Sequence, residues 1–154
     1  MRESIRQTLT SAIFEVFEKM FFVFLEPVED RPFQYEHVSY IDFDGKSKGA
    51  LCIMMSRGMT EMMVQNMLGC EPSDMTGQMI EDCSKEAANM VCGNFLRKMS
   101  ERDVFNLSLP KHAPAHAAEN LGMLLTGTDD VAVSFDSEGE CLQLRISWQE
   151  KGNG

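Results

Sequence analysis

The chain has 154 residues, of which 44% are hydrophobic and 25% are charged. This length and composition are typical of one globular domain, and they argue against a disordered, collagen-like or repeat-solenoid protein. Acidic residues outnumber basic ones by 24 to 14, so the formal net charge is −10. So negative a surface repels phosphate backbones, which argues against nucleic-acid binding.

Cysteine usage and hydropathy indicate the compartment. The five cysteines are an odd number without a C-x-x-C pair, and we expect no secretory leader. The longest apolar stretch near the N-terminus, over residues 20–25, is six residues long, whereas about 20 are needed to span a bilayer. We therefore expect a cytoplasmic protein that does not insert into membranes.

The first half of the chain is predicted to fold as a helix followed by a β-hairpin. Apolar residues at helical spacing predict a long helix over residues 3–25, which Pro27 ends. Strands over 35–43 and 48–55 flank a turn containing Gly45, where we expect the positive φ of a tight hairpin. The second of these strands is apolar on both faces, which predicts a central strand covered on both sides.

The second half is predicted to repeat this order. A short helix over 60–68, closed by Gly69, precedes a second long helix that Ser73 caps and that runs to about Met99. Beyond it we predict, in chain order, a strand over 104–109, a brief helix over 114–125 and a hairpin of two alternating strands around residues 137–140.

Helix followed by hairpin thus occurs twice, beginning near Glu3 and near Ser73. We predict an α+β fold built as a pseudo-repeat of long helix plus β-hairpin, whose strands merge into one mixed or antiparallel sheet with helices packed on it. Because no Pro- or Ser-rich linker separates the halves, we expect a single domain over residues 1–150, followed by a flexible tail over 151–154.

The second long helix carries the most informative residues. At 100° per residue, four of its residues fall within about 60° of one another: Asp82, Glu86, Asn89 and Gly93. They lie beside a predicted buried stripe around Cys83. Because residues three and four apart are neighbours on a helix surface, Glu86 and Asn89 can reach one common ligand.

Gly93 lies on the same face, in a helix interior where glycine costs about 0.5–1 kcal/mol relative to alanine. Two interpretations of this glycine are open. The missing side chain can let the backbone of a partner approach beside Glu86 and Asn89, or it can allow close packing against another helix of the same chain.

The segment from Asp82 to Gly93, with Pro110 about twenty residues beyond Asn89, resembles the signature D/S-x-x-x-E-x-x-N of the CheC/CheX/FliY family of chemotaxis phosphatases. The two helix-plus-hairpin halves also resemble the pseudo-repeated, CheC-like architecture of that family. The resemblance implies a phosphatase that hydrolyses the aspartyl phosphate of a CheY-like response regulator in chemotaxis signalling.

The first helix carries Ser11, Glu15 and Glu18 at the spacing of a second signature copy, with Glu18 where the signature has asparagine. The resemblance therefore implies a CheX-like member with one working site. Alternatively, Ser11 and Glu15 are ordinary polar positions of an amphipathic helix.

The resemblance also implies roles for the residues of the second helix. Asn89 would orient the attacking water through its carboxamide, and Glu86 would accept a hydrogen bond from a lysine of the receiver. Asp82 and Gly93 would contact the partner, although Asp82 can equally be a helix-face charge paired with Lys85. A non-catalytic module that binds response regulators, or a scaffold, is the alternative function.

The resemblance implies that Mg²⁺ is supplied by the response regulator, so that this chain needs no metal ligands or cofactor of its own. It also implies a homodimer. His112 and His116 are four residues apart with Glu119 nearby, a pattern that can suggest zinc. However, Pro114 interrupts the helix that would align the two histidines, and we expect no metal site.

Overall fold

The computed structural model describes residues 1–118 and 131–151, and it has the predicted α+β fold. The helices are α1 (Arg2–Phe21), α2 (Arg57–Leu68), α3 (Gly77–Met99) and the short α4 (Ala115–Ala118). The strands are β1 (Glu26–Val28), β2 (His37–Asp44), β3 (Ser47–Met55), β4 (Asn106–Leu107), β5 (Lys111–Pro114), β6 (Val131–Ser137) and β7 (Glu140–Glu150).

The seven strands form one sheet in the order β1-β6-β7-β3-β2-β4, and β5 also pairs with β2. All pairings between the described strands are antiparallel. The hairpins β2–β3 and β6–β7 meet where β3 pairs with β7, from Ser47 opposite Glu150 to Met55 opposite Leu142. The prediction that two hairpins merge into one sheet is therefore confirmed.

The main core lies between one face of the sheet and the helices α1, α2 and α3. Its largest buried side chains include Phe17 and Phe21 of α1, Phe95 of α3 and Phe135 of β6. Because side chains alternate along a strand, β3 also contributes to a smaller cluster on the opposite face, around Cys52. Residues 50–55 of β3 are all buried, as predicted for a central strand.

The hairpin β2–β3 forms where predicted, but Gly45 does not adopt a positive φ. A Cβ atom at Gly45 would lie 2.8 Å from the carbonyl oxygen of Val104 and 2.8 Å from the ring of Phe105. Glycine is therefore required here because another segment of the chain crosses close to the turn. Positive φ values occur instead at Gly69, which ends α2 as predicted, and at Gly139 in the β6–β7 turn.

The first helix ends four residues earlier than predicted. It ends at Phe21, because Phe22 adopts the left-handed conformation with φ 54°. The backbone N–H of Val23 then donates to the carbonyl of Phe17 at 2.9 Å, which turns the chain away from the helix axis. The apolar pattern continues to Leu25 because Val23 is itself buried in the core outside the helix.

The N-terminus of α3 also differs from the prediction. Ser73 lies in a separate 3₁₀ turn, Pro72–Asp74, and does not cap the helix. The cap is Thr76, whose hydroxyl oxygen accepts the backbone N–H of Met79 at 3.1 Å. Threonine also suits this position, and Thr76 directly precedes Gly77, the first residue of the helix.

The remaining predictions concern the C-terminal third. The strand predicted over 104–109 is reduced to β4, and β5 follows it. Of the helix predicted over 114–125, α4 forms, and residues 119–125 lie outside the described part of the chain. Residues 152–154 of the predicted flexible tail also lie outside it, while Lys151 pairs with Asp44.

Within residues 1–118 and 131–151, no helix combines enough length and apolar character to cross a membrane.

Candidate functional site

The orientation of α3 decides what its polar face can contact. The buried residues of the helix lie on one side: Cys83, Ser84, Ala87, Ala88, Val91, Cys92, Phe95 and Leu96. We call the line of Asp82, Glu86, Asn89 and Gly93 the α3 ridge. The centre of the buried side and the α3 ridge are about 160° apart around the helix. The ridge thus faces away from the sheet, and does not lie beside the buried stripe as the sequence suggested.

Glu86 and Asn89 lie one turn apart on the α3 ridge. Asn89 is exposed and Glu86 is half-buried. Within the described residues, neither side chain makes a hydrogen bond or an ion pair. A carboxylate and a carboxamide therefore stand next to each other at the surface with their hydrogen-bonding capacity unused.

Asp82, at the N-terminal end of the α3 ridge, is exposed and accepts a hydrogen bond from Nε2 of Gln78 at 2.8 Å. Lys85 pairs with Glu81 at 3.7 Å. The structure thus does not show the Asp82–Lys85 pair considered from the sequence. A contact of Asp82 with a partner stays a prediction.

Gly93 faces open space. A Cβ atom at this position would meet no heavy atom of the described residues within 4 Å, apart from the helix itself and the adjacent residues. The interpretation that Gly93 serves close packing against another helix of this chain is therefore wrong. Close approach of a partner's backbone stays as the prediction.

A cleft lies along the junction of α1 and α3, and we call it the α1–α3 cleft. Its volume is about 440 Å³. It is lined by the following residues: Glu15, Val16, Lys19, Met20, Asn89, Met90, Gly93, Asn94, Arg97 and Leu107. The sequence did not predict this cleft, because its walls come from two helices whose packing partners were unknown. The sequence did contain one indication of this surface: Arg97 follows Gly93 by four residues and therefore lies on the same face of α3.

The first signature-like copy, on α1, has a different environment. Glu15 accepts hydrogen bonds from Lys98 of α3 at 2.9 Å and from Lys19 at 3.3 Å. These lysines and a hydrogen bond from Asn94 lower the pKa of Glu15 to about 2. Asn94 also donates to the carbonyl of Ala12 at 3.5 Å. Glu15 therefore connects α1 to α3, whereas Glu86 has no such partner among the described residues.

The other two residues of that copy, Ser11 and Glu18, are exposed on α1. They line a separate, shallower surface depression with residues of α1 alone. Glu18 does not line the α1–α3 cleft. At the signature positions, α1 therefore carries two carboxylates, Glu15 and Glu18, where α3 carries a carboxylate and a carboxamide.

The histidines are arranged differently from a zinc site. His112 stacks on His37, and Nε2 of His112 lies 3.0 Å from Nδ1 of His37. Burial lowers the pKa of both imidazoles. His116 is exposed on α4, and Glu119 lies outside the described residues. Over residues 1–118 and 131–151, no group of three or more potential ligands is arranged to hold a metal ion.

The cysteines of α3 belong to its buried side. Burial raises the pKa of Cys83, and it raises the pKa of Cys92 to about 12. Both groups are therefore protonated thiols near neutral pH. Because only the thiolate is a strong nucleophile, neither cysteine is suited to nucleophilic catalysis. They are small buried residues of the core.

Several solved structures have a similar fold, and chemotaxis proteins are among them. The chemotaxis protein CheX from Vibrio vulnificus superposes with a TM-score of 0.76 and 20% identity, over 97% of this chain and 99% of that chain. The CheX–CheY–BeF₃–Mg complex from Borrelia burgdorferi gives 0.75 and 17%, over 94% and 97%. FliY from Thermotoga maritima gives 0.66 and 15%, over 94% and 86%.

A search of curated proteins gives no match to this chain. The family model for the chemotaxis phosphatase CheX matches residues 37–134. This range is more than half of the chain, and it contains the whole of α3 with the α3 ridge, although not α1. The chain belongs to the CheX family of chemotaxis phosphatases.

Proposed function

We propose that this protein hydrolyses the aspartyl phosphate of a CheY-like response regulator in chemotaxis signalling. The observation that carries the proposal is the pair of half-buried Glu86 and exposed Asn89, one turn apart and without a hydrogen bond or ion pair in the described chain. Membership of the CheX family supports it. So does the similar fold of a CheX from Borrelia burgdorferi that was solved in complex with CheY.

Asn89 is proposed to position the attacking water. Hydrolysis of an acyl phosphate depends mainly on holding water in line with the phosphorus. The carboxamide oxygen of Asn89 can accept a proton of that water while its NH₂ group donates elsewhere, which fixes the orientation of the water. An amide does not act as a general base at neutral pH, so the contribution of Asn89 is orientation.

Glu86 is proposed to anchor the receiver. Its carboxylate would accept a charge-assisted hydrogen bond from the receiver's lysine, a contact worth roughly 1.5–3 kcal/mol when desolvated. This contact would place Asn89, one turn further along the α3 ridge. Asp82 and Gly93 are proposed to contact the receiver at either end of the pair.

Mg²⁺ is proposed to come from the acidic pocket of the response regulator, where it would neutralise the developing charge on the phosphoryl group. The reaction then needs no cofactor of this chain. Because its substrate is the receiver, the protein has to share the receiver's compartment, and a cytoplasmic location stays a prediction.

The test is the decay of acyl phosphate on candidate receivers with wild type, Asn89→Ala and no phosphatase. Asn89→Ala is expected to abolish the accelerated decay and to leave binding of a beryllofluoride-loaded receiver nearly intact. Asn106→Ala, at an exposed asparagine of β4, is the matched control and should keep wild-type activity. Equal decay with and without wild type would contradict the catalytic proposal, and binding without acceleration would favour the non-catalytic module.

A homodimer that leaves the α3 ridge accessible is also proposed. The sheet offers an edge for such pairing at β1, which in the described part pairs with β6 alone. Phe22 and Phe24, just before β1, are 62% and 67% exposed. Light scattering is expected to give twice the mass of one chain. A mass of 17.4 kDa, that of a single chain, would contradict the dimer.

A further inference from the structure

We infer that the α1–α3 cleft is a second contact site for the receiver, and that it takes an apolar side chain of the receiver next to a carboxylate. This inference rests on the proposed function, because the cleft begins at Asn89. It adds the chemistry of the partner surface beside the phosphorylation site.

The walls of the cleft favour an apolar group at its centre. Met20 of α1, Met90 of α3 and Leu107 of β4 line it, are half-buried and pack against the main core. Methionine side chains are flexible and polarizable, so they adapt to the shape of an inserted group. Between them, Gly93 leaves the α3 wall open, because no atom from residues 1–118 or 131–151 occupies the position of its missing Cβ.

The charges around the cleft favour an anionic neighbour. Arg97 is exposed and, within the described chain, makes no hydrogen bond or ion pair. Among the described residues, Glu15 is the one acid lining the cleft, and it is ion-paired to Lys98 and Lys19. Positive charge therefore remains in excess here, although the protein as a whole carries −10.

Acidic residues also lie on the far side of Arg97. Glu101 and Asp103 line a smaller neighbouring cavity of about 150 Å³ together with Arg97, but they do not line the α1–α3 cleft. Neither forms an ion pair with Arg97 among the described residues. The guanidinium thus keeps its donors for a carboxylate of a partner.

The position of Arg97 sets where that carboxylate lies. Asn89, Gly93 and Arg97 are spaced four residues apart, so they follow one face of α3. At 1.5 Å per residue, Arg97 is about 12 Å from Asn89 along the helix axis. With Asn89 at the phosphoaspartate, Arg97 would meet the receiver surface outside the phosphorylation pocket. A carboxylate at this rim would orient the two proteins and raise their association rate.

Charge reversal tests the anionic part of the inference. Arg97→Glu is expected to raise KM for the phosphorylated receiver roughly tenfold, to leave kcat within about twofold, and to weaken the salt dependence of kcat/KM. Arg102→Glu is the charge-matched control, since Arg102 is exposed and outside the cleft lining. An equal rise of KM in both variants would mean that only total charge matters, and would overturn the inference.

Filling the cleft tests the apolar part. Gly93→Met places a side chain in the cleft, and Gly77→Met is the control, because both positions are open to a Cβ atom. Gly93→Met should weaken binding of a beryllofluoride-loaded receiver roughly tenfold or more, with an unchanged far-UV circular dichroism spectrum. Gly77→Met should bind as wild type. Wild-type affinity of Gly93→Met would overturn the inference.

The outcomes separate the inference from the proposed function. If wild type accelerates dephosphorylation and Asn89→Ala does not, while Arg97→Glu keeps the wild-type KM, the cleft inference fails and the proposed function stands. If wild type gives no acceleration, the proposed function fails, and the binding measurements then decide whether the cleft contacts the receiver. In that case, weaker binding by Arg97→Glu than by Arg102→Glu supports the cleft, and equal binding overturns it.

Discussion

Three carboxylates belong to α3, and their partners distinguish them. Glu81 pairs with Lys85 and accepts a hydrogen bond from Gln78 at 3.1 Å. Asp82 accepts a second hydrogen bond from the same amide group. Glu86 has no hydrogen bond or ion pair with the described residues. Glu86 is thus the carboxylate of α3 that can bind a cationic partner without first giving up an intramolecular contact.

Replacing Glu86 tests its anchoring role at the scale of one residue. Glu86→Gln is expected to weaken binding of a beryllofluoride-loaded receiver and to slow turnover, each roughly tenfold or more, because the receiver's lysine loses a charged acceptor worth about 1.5–3 kcal/mol. Titration calorimetry and the dephosphorylation assay measure the two effects. Glu138→Gln, in the exposed β6–β7 turn, is the control. Wild-type affinity of Glu86→Gln would contradict the anchoring role.

At the scale of elements, α1 and α3 pack side by side but use their signature-like residues in different ways. The carboxylate of Glu15 points between the helices, where Lys98 of α3 contacts it. On α3, the corresponding Glu86 stays on the outer face. Glu15 therefore connects the two helices, and Glu18 stands where the signature has asparagine.

The Glu15 contact predicts a pH dependence of stability. In the folded state the pKa of Glu15 is about 2, below the 4.5 that is usual for a glutamate. A carboxylate whose pKa is lower in the folded than in the unfolded state stabilises the fold at pH values above the unfolded-state pKa. This stabilisation is lost as the pH falls toward the folded-state pKa. Between pH 5 and pH 3, wild type should therefore lose more stability than Glu15→Gln, as measured by urea unfolding. Parallel losses in the two proteins would contradict this role.

The sequence predicted the elements whose signals are local. The apolar periodicity of α3 and the Gly139 turn each lie within one element or one hairpin, and both predictions hold. The errors arise where distant segments decide the geometry. Glycine is required at position 45 because residues 104–105 pass close to the turn. The end of α1 depends on the burial of Val23 in the core. The α3 ridge could be predicted from helical periodicity alone. The α1–α3 cleft could not, because its prediction requires knowing which helices pack against each other.

At the scale of the whole molecule, the two halves share one sheet and one aromatic cluster. Trp148 of β7, the single tryptophan, contacts the rings of Phe43 of β2, Phe95 of α3 and Phe105, at centroid distances of 5.6 to 6.2 Å. These partners come from both halves of the pseudo-repeat. The fluorescence of Trp148 therefore reports on the junction that holds the halves together.

This junction predicts that the chain unfolds as one cooperative unit. Gly49 of β3 lies opposite Trp148, and a Cβ atom there would collide with the carbonyl oxygen of Ser147 and lie 2.7 Å from the ring of Phe43. Gly49→Ala must therefore push β3 and β7 apart, and we expect it to lower the free energy of unfolding by about 1–3 kcal/mol.

Urea unfolding followed by Trp148 fluorescence and by far-UV circular dichroism measures this effect. For a single domain, Gly49→Ala shifts both midpoints together, because the two halves cannot unfold separately once the β3–β7 pairing is shared. Gly77→Ala, at an open position at the start of α3, should change both midpoints little. A shift of the fluorescence midpoint alone would show that the halves unfold independently, and would contradict the single domain predicted over residues 1–150.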